Sequence, residues 1–300
     1  MEECVAVAEK NKTVHVLNPL AGKGAAKKVK ENIKGDEIIY MSKSPEETTA
    51  FIKKTCASEP NTCFTVYGGD GTVFRAVNAL MESGQNKTAS LKVVPIGSGN
   101  DFVRTFDGKS GEFLIDAMKV NDRYAVNVVN MGFDCNVVRR ASKIKKIPLV
   151  TGKMSYIFGV VGELVGKKPL NLTIDITLED GRTEHLEGKY LLCAVANAMW
   201  YGGGFKVAPM ADVSDGVLNL VLVNNISRRK FISIVGEFKK GTLADESGEV
   251  IERAQGIITY RRCTGVRIQG CPAVCADGEI FKENVVDISV VPQAIKYIKE

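Results

Sequence analysis

The sequence predicts an α/β protein in two parts: a parallel α/β unit, then a mostly antiparallel β unit. Strand and helix signals alternate up to about residue 120. Beyond that point strand follows strand, with two helical interruptions. In the first part, glycine-rich or polar turns come directly after the strands. Strands alternating with helices imply a parallel sheet covered by helices. Such sheets bind ligands at the carboxyl ends of their strands.

The elements follow in order. Thr13–Leu17 reads as a strand, Asn18-Pro19-Leu20-Ala21-Gly22 as a turn, and Lys23 to Lys34 as a basic helix. Ile38–Met41 is a second strand, followed by Ser42. Ser44-Pro45-Glu46-Glu47 starts a helix, with Ser44 as N-cap, proline in the first turn and Glu47 closing a capping box. Phe64–Tyr67 is a third strand. In the helix that follows, Val73, Ala76, Val77, Leu80 and Met81 recur at the spacing of one buried face. Leu91–Pro95 is a fourth strand.

In the second part, 124–129, 172–178, 185–196, 217–223, 266–269 and 285–291 read as strands. Glu179-Asp180-Gly181-Arg182 is a hairpin turn signal. Helices are expected near 156–165 and 231–241, and a terminal helix over 294–299 returning to the first part.

Composition narrows the function classes. The chain has 300 residues, 45% of them apolar, enough for a sizeable core. No apolar run reaches the roughly 18 residues of a spanning helix. The start, Met1-Glu2-Glu3-Cys4, lacks the basic region of a signal peptide. A cytoplasmic protein is expected. The net charge of +5 permits attraction to anionic nucleotides or an anionic membrane, but is weak for nucleic-acid binding. The eight cysteines form no Cys-x-x-Cys and read as reduced thiols. His15 and His185 have no partner in sequence that suggests a catalytic dyad.

Four motifs carry chemistry. Gly68-Gly69-Asp70-Gly71-Thr72 joins a strand to a helix without the lysine of the common phosphate loop. Free backbone N–H groups and the positive helix end suit phosphate there; a plain turn capped by Asp70 is the alternative. Pro95-Ile96-Gly97-Ser98-Gly99-Asn100-Asp101-Phe102 is a second loop after a strand, weak alone and stronger beside the first. Gly202-Gly203-Gly204-Phe205 precedes Asp212-Val213-Ser214-Asp215-Gly216-Val217, where a carboxylate beside free carbonyls suits a hard cation such as magnesium. An ordinary Asp-Gly turn is the alternative. Ala276-Asp277-Gly278-Glu279 sets two carboxylates around a glycine, suited to accept a proton from a hydroxyl; a plain hairpin turn is the alternative.

In this order, and with Asn18-Pro19-x-x-Gly22 and Asn130-Met-Gly-Phe-Asp134, the motifs resemble the diacylglycerol kinase catalytic family, in its soluble bacterial lipid kinase branch. That branch is related to sphingosine and ceramide kinases and, more remotely, to NAD kinases. The resemblance implies a Rossmann-like parallel α/β domain over 1–120, completed by 292–300, and a C-terminal, mostly antiparallel β-sandwich over 121–291. It implies ATP as phosphoryl donor, held by Asn18, Pro19, Leu20, Ala21, Gly22, Ser42, Gly68, Gly69, Asp70, Gly71, Thr72 and Ser98. Asp70 would orient the phosphates through magnesium. Asp215, with carbonyls near Asp212 and Val217, would hold a structural magnesium. Asp277 and Glu279 would be the acid–base pair, with Asp70 as a rival base.

The acceptor would be diacylglycerol or a similar lipid at a membrane surface. A sphingoid base, another lipid alcohol, NAD, or a silent nucleotide-binding regulator are the alternatives, and a homodimer is left open. Arg139-Arg140-x-x-Lys143-x-Lys145-Lys146 can face an anionic membrane or be a solvated loop. One departure stands out: the family often has Asn-Glu where this chain has Phe74-Arg75. Arg75 either meets phosphate or is a solvated helix residue.

Overall fold

Four short apolar strands form the parallel sheet that positions the site: β1 (Thr13–Leu17), β2 (Ile38–Met41), β3 (Cys63–Gly68) and β4 (Ser90–Pro95), in the order β4-β3-β1-β2. The computed structural model describes residues 12–21, 29–31, 33, 37–97, 99–132, 169–245 and 248–300. The basic helix expected over 23–34 is described only in part, and that over 156–165, Asp134 and the 139–146 stretch lie outside the described residues.

Helix α1 (Pro45–Ser58) begins as its sequence dictates: Glu47 N donates to the Ser44 hydroxyl at 3.1 Å. Helix α2 (Asp70–Ser83) buries Val73, Phe74, Ala76, Val77, Ala79 and Leu80, and ends at Gly84 in the left-handed conformation. A four-residue turn of helix, α3 (Asp101–Arg104), follows the second glycine loop.

The second part begins with β5 (Gly111–Val120), β6 (Arg123–Ala125) and β7 (Val128–Gly132). It continues with β8 (Leu170–Leu178), β9 (Thr183–Ala196) and the small hairpin β10 (Trp200–Tyr201) and β11 (Phe205–Lys206). Then come β12 (Leu218–Asn224), α4 (Arg228–Lys240), β13 (Ile258–Gln269), β14 (Val274–Ala276), β15 (Glu279–Phe281) and β16 (Val285–Lys299). Strands β8, β9, β12 and β13 each pair antiparallel with the next, and β13 pairs back to β8. The four strands thus close on themselves around Leu172, Ile174, Leu220, Val266 and Ile268.

Two expectations are corrected, and one strand is added. Residues 294–299 are not a helix but the end of β16. The strand pairs antiparallel with β13 at its start and parallel with β4 through Lys296–Ile298, and it pairs antiparallel with β5 along both stretches. The open edges of β4 and β5 supply backbone partners that a six-residue helix would forgo. Between the two stretches the register shifts at Pro292-Gln293, and Gln293 takes φ +48°. The strand expected over 124–129 is split after Ala125, because the N–H groups of Val126 and Asn127 turn toward a carboxylate. The ten-residue strand β5 has no counterpart in the sequence reading.

Candidate active site

The sites grow from the carboxyl ends of β1, β3 and β4. After β1, Asn18 organises its own turn: Leu20 N donates to the Asn18 side-chain oxygen at 3.0 Å and Ala21 N to its carbonyl at 3.1 Å. Its amide nitrogen donates to the Thr72 hydroxyl at 3.1 Å, tying this turn to α2. Pro19 and Ala21 lie in the same turn, and Leu20 is fully in solvent, 91% exposed. Ser42 follows β2 and shares a 2.6 Å hydrogen bond with the Thr48 hydroxyl. Gly22 and Ser98 lie outside the described residues.

After β3, Gly69 is the N-cap of α2, with no side-chain cap. Its loop abuts the loop after β4: a Cβ on Gly97 would lie 2.4 Å from the Gly69 Cα. Only glycine allows that approach. Gly68 is equally confined, since a Cβ there would lie 2.4 Å from the Thr72 side chain. Asn100, at φ +58°, closes the second loop by accepting from Gly97 N at 3.1 Å and donating to Gly97 O at 2.9 Å.

Asp70 clamps the two loops. Its carboxylate accepts from Asn100 N at 2.9 Å and Asp101 N at 3.0 Å. Burial raises its pKa, and these backbone donors oppose the rise. Asp101 in turn accepts from Gly203 N at 2.6 Å and Arg104 at 3.0 Å. Burial lifts its pKa to about 6, the Gly203 N–H opposes this, and the nearby Asp70 charge adds to it. Gly202, Gly203 and Gly204 all have positive φ, so the β10–β11 turn is held against the second glycine loop in a conformation glycine favours.

The carboxylates of the last motif arrive from the β14–β15 hairpin, whose turn residues Asp277 and Gly278 take φ +47° and +92°. They divide by position. Asp277 is buried, and both its oxygens are engaged: Val126 N donates to one at 2.8 Å, Asn127 N and Val128 N to the other at 3.0 Å. Burial raises its pKa to about 7, those donors pull it down, and Asp70 pushes it up. Glu279 instead faces outward, its side chain 40% exposed. One of its oxygens lies 2.9 Å from where a Gly71 Cβ would stand, at the start of α2. The other pairs with Arg75 at 3.4 Å. Arg75 is therefore half-buried and shared across the two parts.

Asp212, Asp215 and Val217 lie in one turn. Ser214 donates to Asp212 through its N–H at 2.9 Å and its hydroxyl at 2.7 Å. Asp215 accepts from Val217 N at 3.0 Å and from Arg262 at 3.0 Å. A third carboxylate, fully buried Asp116 on β5, accepts from Gly216 N and Gln293 N, each at 2.7 Å. Burial raises its pKa, its backbone donors oppose this, and the Asp215 and Asp212 charges raise it further. Of these three carboxylates Asp215 is the one that meets the Arg262 guanidinium, and Arg262 also serves Glu179 at 2.6 Å. This surplus of negative charge, beside backbone carbonyls, fits a hard cation. Among the described residues no three His, Cys, Asp or Glu side chains converge as a cage, so such an ion would lean on carbonyls and water.

Asp116 and Arg262 escaped the sequence reading. The signal for Asp116 is a lone acid inside the apolar run Phe113-Leu-Ile-Asp-Ala-Met118; Arg262 has none, since basic residues are common on strand faces.

Residues 12–131 match the diacylglycerol kinase catalytic domain. Residues 127–299 match the YegS C-terminal NAD kinase beta sandwich-like domain. The chain belongs to the diacylglycerol-kinase-like bacterial lipid kinases. It is 25% identical over 315 aligned positions to a Mycobacterium tuberculosis protein named diacylglycerol kinase, covering 97% of this chain and 96% of that one. A Staphylococcus epidermidis protein named, provisionally, a lipid kinase is 29% identical over 283 positions, covering 86% of each chain. Two solved structures from Bacillus anthracis str. Sterne, described as diacylglycerol kinases (provisionally in the first case), give TM-scores of 0.72 and 0.67. Their identities are 19% and 18%, with 97% of both chains covered in each case; at that level they show the shared lipid-kinase fold alone. No helix among the described residues of this kinase is long and apolar enough to cross a membrane.

Proposed function

We propose that this lipid kinase transfers the γ-phosphoryl group of ATP to a hydroxyl of diacylglycerol or a similar lipid, with magnesium. The observation that supports it best is the facing of Glu279, from the second part, on the lysine-free glycine loop at the start of α2. The N–H groups at that helix start attract the phosphates. Asn18 and Thr72 brace them, and Asp70 fixes the distance between the two loops. Glu279, solvent-facing, takes the proton from the lipid hydroxyl as it attacks. Asp277 holds the hairpin that carries Glu279. Arg75 anchors the Glu279 carboxylate. Magnesium, when bound, neutralises charge on the transferring group, and Asp215 with carbonyls of Asp212 and Val217 would hold a second, structural ion.

The test is transfer of labelled phosphate from ATP to dispersed diacylglycerol, a sphingoid base, other lipid alcohols and NAD. Labelled lipid is expected, with Glu279→Gln losing roughly 100-fold in turnover while ATP still binds. Labelled NAD without labelled lipid would move the assignment to the nucleotide acceptor. ATP binding without consumption on any acceptor would make the chain a regulator.

A further inference from the structure

Helix α4 carries charge against its own dipole. Its first turn has no acidic residue and presents Arg229 and Lys230, although cations are disfavoured at a helix N-terminus. Its inner face is spent on the core through Phe231, Ile234 and Phe238. The outer face carries exposed Arg229, Lys230, Lys239 and Lys240, with Ile232 between them, 60% exposed. Glu237, the one acid of this helix, is paired with Arg253 at 2.6 Å.

The basic stripe continues onto the β10–β11 hairpin. Lys239 sits over the Phe205 ring at 5.6 Å and Lys206 over the Trp200 ring at 5.7 Å. The packing is tight, since a Cβ on Gly241, just after α4, would lie 2.9 Å from the Lys206 carbonyl oxygen. The tip of this hairpin is the Gly203 that donates to Asp101 in the second glycine loop. One surface therefore combines cations, half-exposed aromatics and a bare isoleucine, and adjoins the site.

We propose that the outer face of α4 and the β10–β11 hairpin form the surface by which the protein seats on an anionic lipid bilayer. Charge complementarity decides the occupant: the stripe is net cationic, its one acid, Glu237, being paired with Arg253. Aromatic and basic side chains together suit the headgroup layer, and Ile232 suits the acyl boundary beneath it. The inference rests on the lipid-kinase reading for its purpose, but not for its test.

The experiment is sedimentation of the full chain with phosphatidylglycerol-containing vesicles and with pure phosphatidylcholine vesicles. Wild type is expected in the anionic pellet and not in the neutral one. The variant Arg229→Glu with Lys230→Glu is chosen because it complements the helix dipole. It should melt at or above the wild-type temperature, yet lose roughly 30-fold or more in vesicle affinity, each basic residue being worth about five-fold. Ile232→Ser should weaken binding at unchanged salt dependence. Phosphorylation of a lipid dispersed in detergent should be unaltered in both variants. Variants that pellet like wild type, or a wild type that binds neutral vesicles equally, overturn the proposal. If no lipid is phosphorylated by any protein, the kinase reading falls while vesicle binding still decides the docking surface.

Discussion

Asp277→Asn separates the structural part of the Asp-Gly-Glu turn from its chemical part. The carboxylate serves three backbone donors at the crossing between the two parts, Val126, Asn127 and Val128. Asparagine keeps one acceptor oxygen for Asn127 and Val128, but sets an amide N–H₂ against Val126 N–H. The variant leaves the buried Val126 donor unpaired, a cost of about 2–3 kcal/mol. An unfolding entropy near 2 cal/mol/K per residue converts this to a fall in Tm of about 4 °C.

The pH dependence has a definite sign. Folding raises this carboxyl from 3.8 to about 7, so the folded state holds the extra proton between those values. The stability that goes with that proton is full below the unfolded value and is lost as pH climbs to about 7. Asparagine does not titrate, so the gap between variant and wild type should widen toward acid. Calorimetry at several pH values measures both effects. A variant that melts within a degree of wild type, with a gap flat in pH, would refute the reasoning.

Three further outcomes follow. Gly97→Ala places a methyl group 2.4 Å from the Gly69 Cα, so the loops must part; ATP affinity by calorimetry should fall at least about ten-fold, on the scale of overpacking costs, and unchanged affinity counts against the paired-loop site. Arg75→Glu replaces the 3.4 Å pair with Glu279 by a repulsion; kcat should fall with the KM for lipid little changed, and Arg75→Lys should recover most of it, whereas unaltered kinetics would leave Arg75 a surface residue. Magnesium should raise the wild-type Tm, by about 4 °C at a hundred times its Kd, and Asp215→Asn should lose most of that rise; equal rises in both proteins would remove Asp215 as a ligand.

Local signals carried far in some segments and failed in others for physical reasons. The start of α1 was legible because its cap is local: Ser44, Pro45 and Glu47 act on each other. The buried face of α2 was legible because its spacing is regular, Met81 alone falling only partly buried at its edge. The end of β16 was not. Ala294, Ile295 and Ile298 suit a helix as well as a strand, and the partners that decide, β4 and β5, lie about 180 to 200 residues away in sequence. Strand β5 suffers the same ambiguity, with an acid at its centre. At the site, the meeting of Asn18, Gly69 and Gly97 was legible from strand ends alone. The division between Asp277 and Glu279 was not, because one turn carries both and only the fold sends one inward and the other outward.

The path of β16 bears on how the chain comes to fold during synthesis. Its last residues pair with β4, on the side of that strand away from β3. The ribosome releases β1 to β4 long before this partner exists, so the nascent parallel sheet waits with its β4 flank bare. A bare strand flank invites pairing with other chains. Long-range pairing of this kind is slow, so the protein spends its most aggregation-exposed interval with nearly all of its glycine-loop machinery already made. Conditions that slow emergence of the final strand should lower soluble yield more than conditions that slow translation of the first hundred residues.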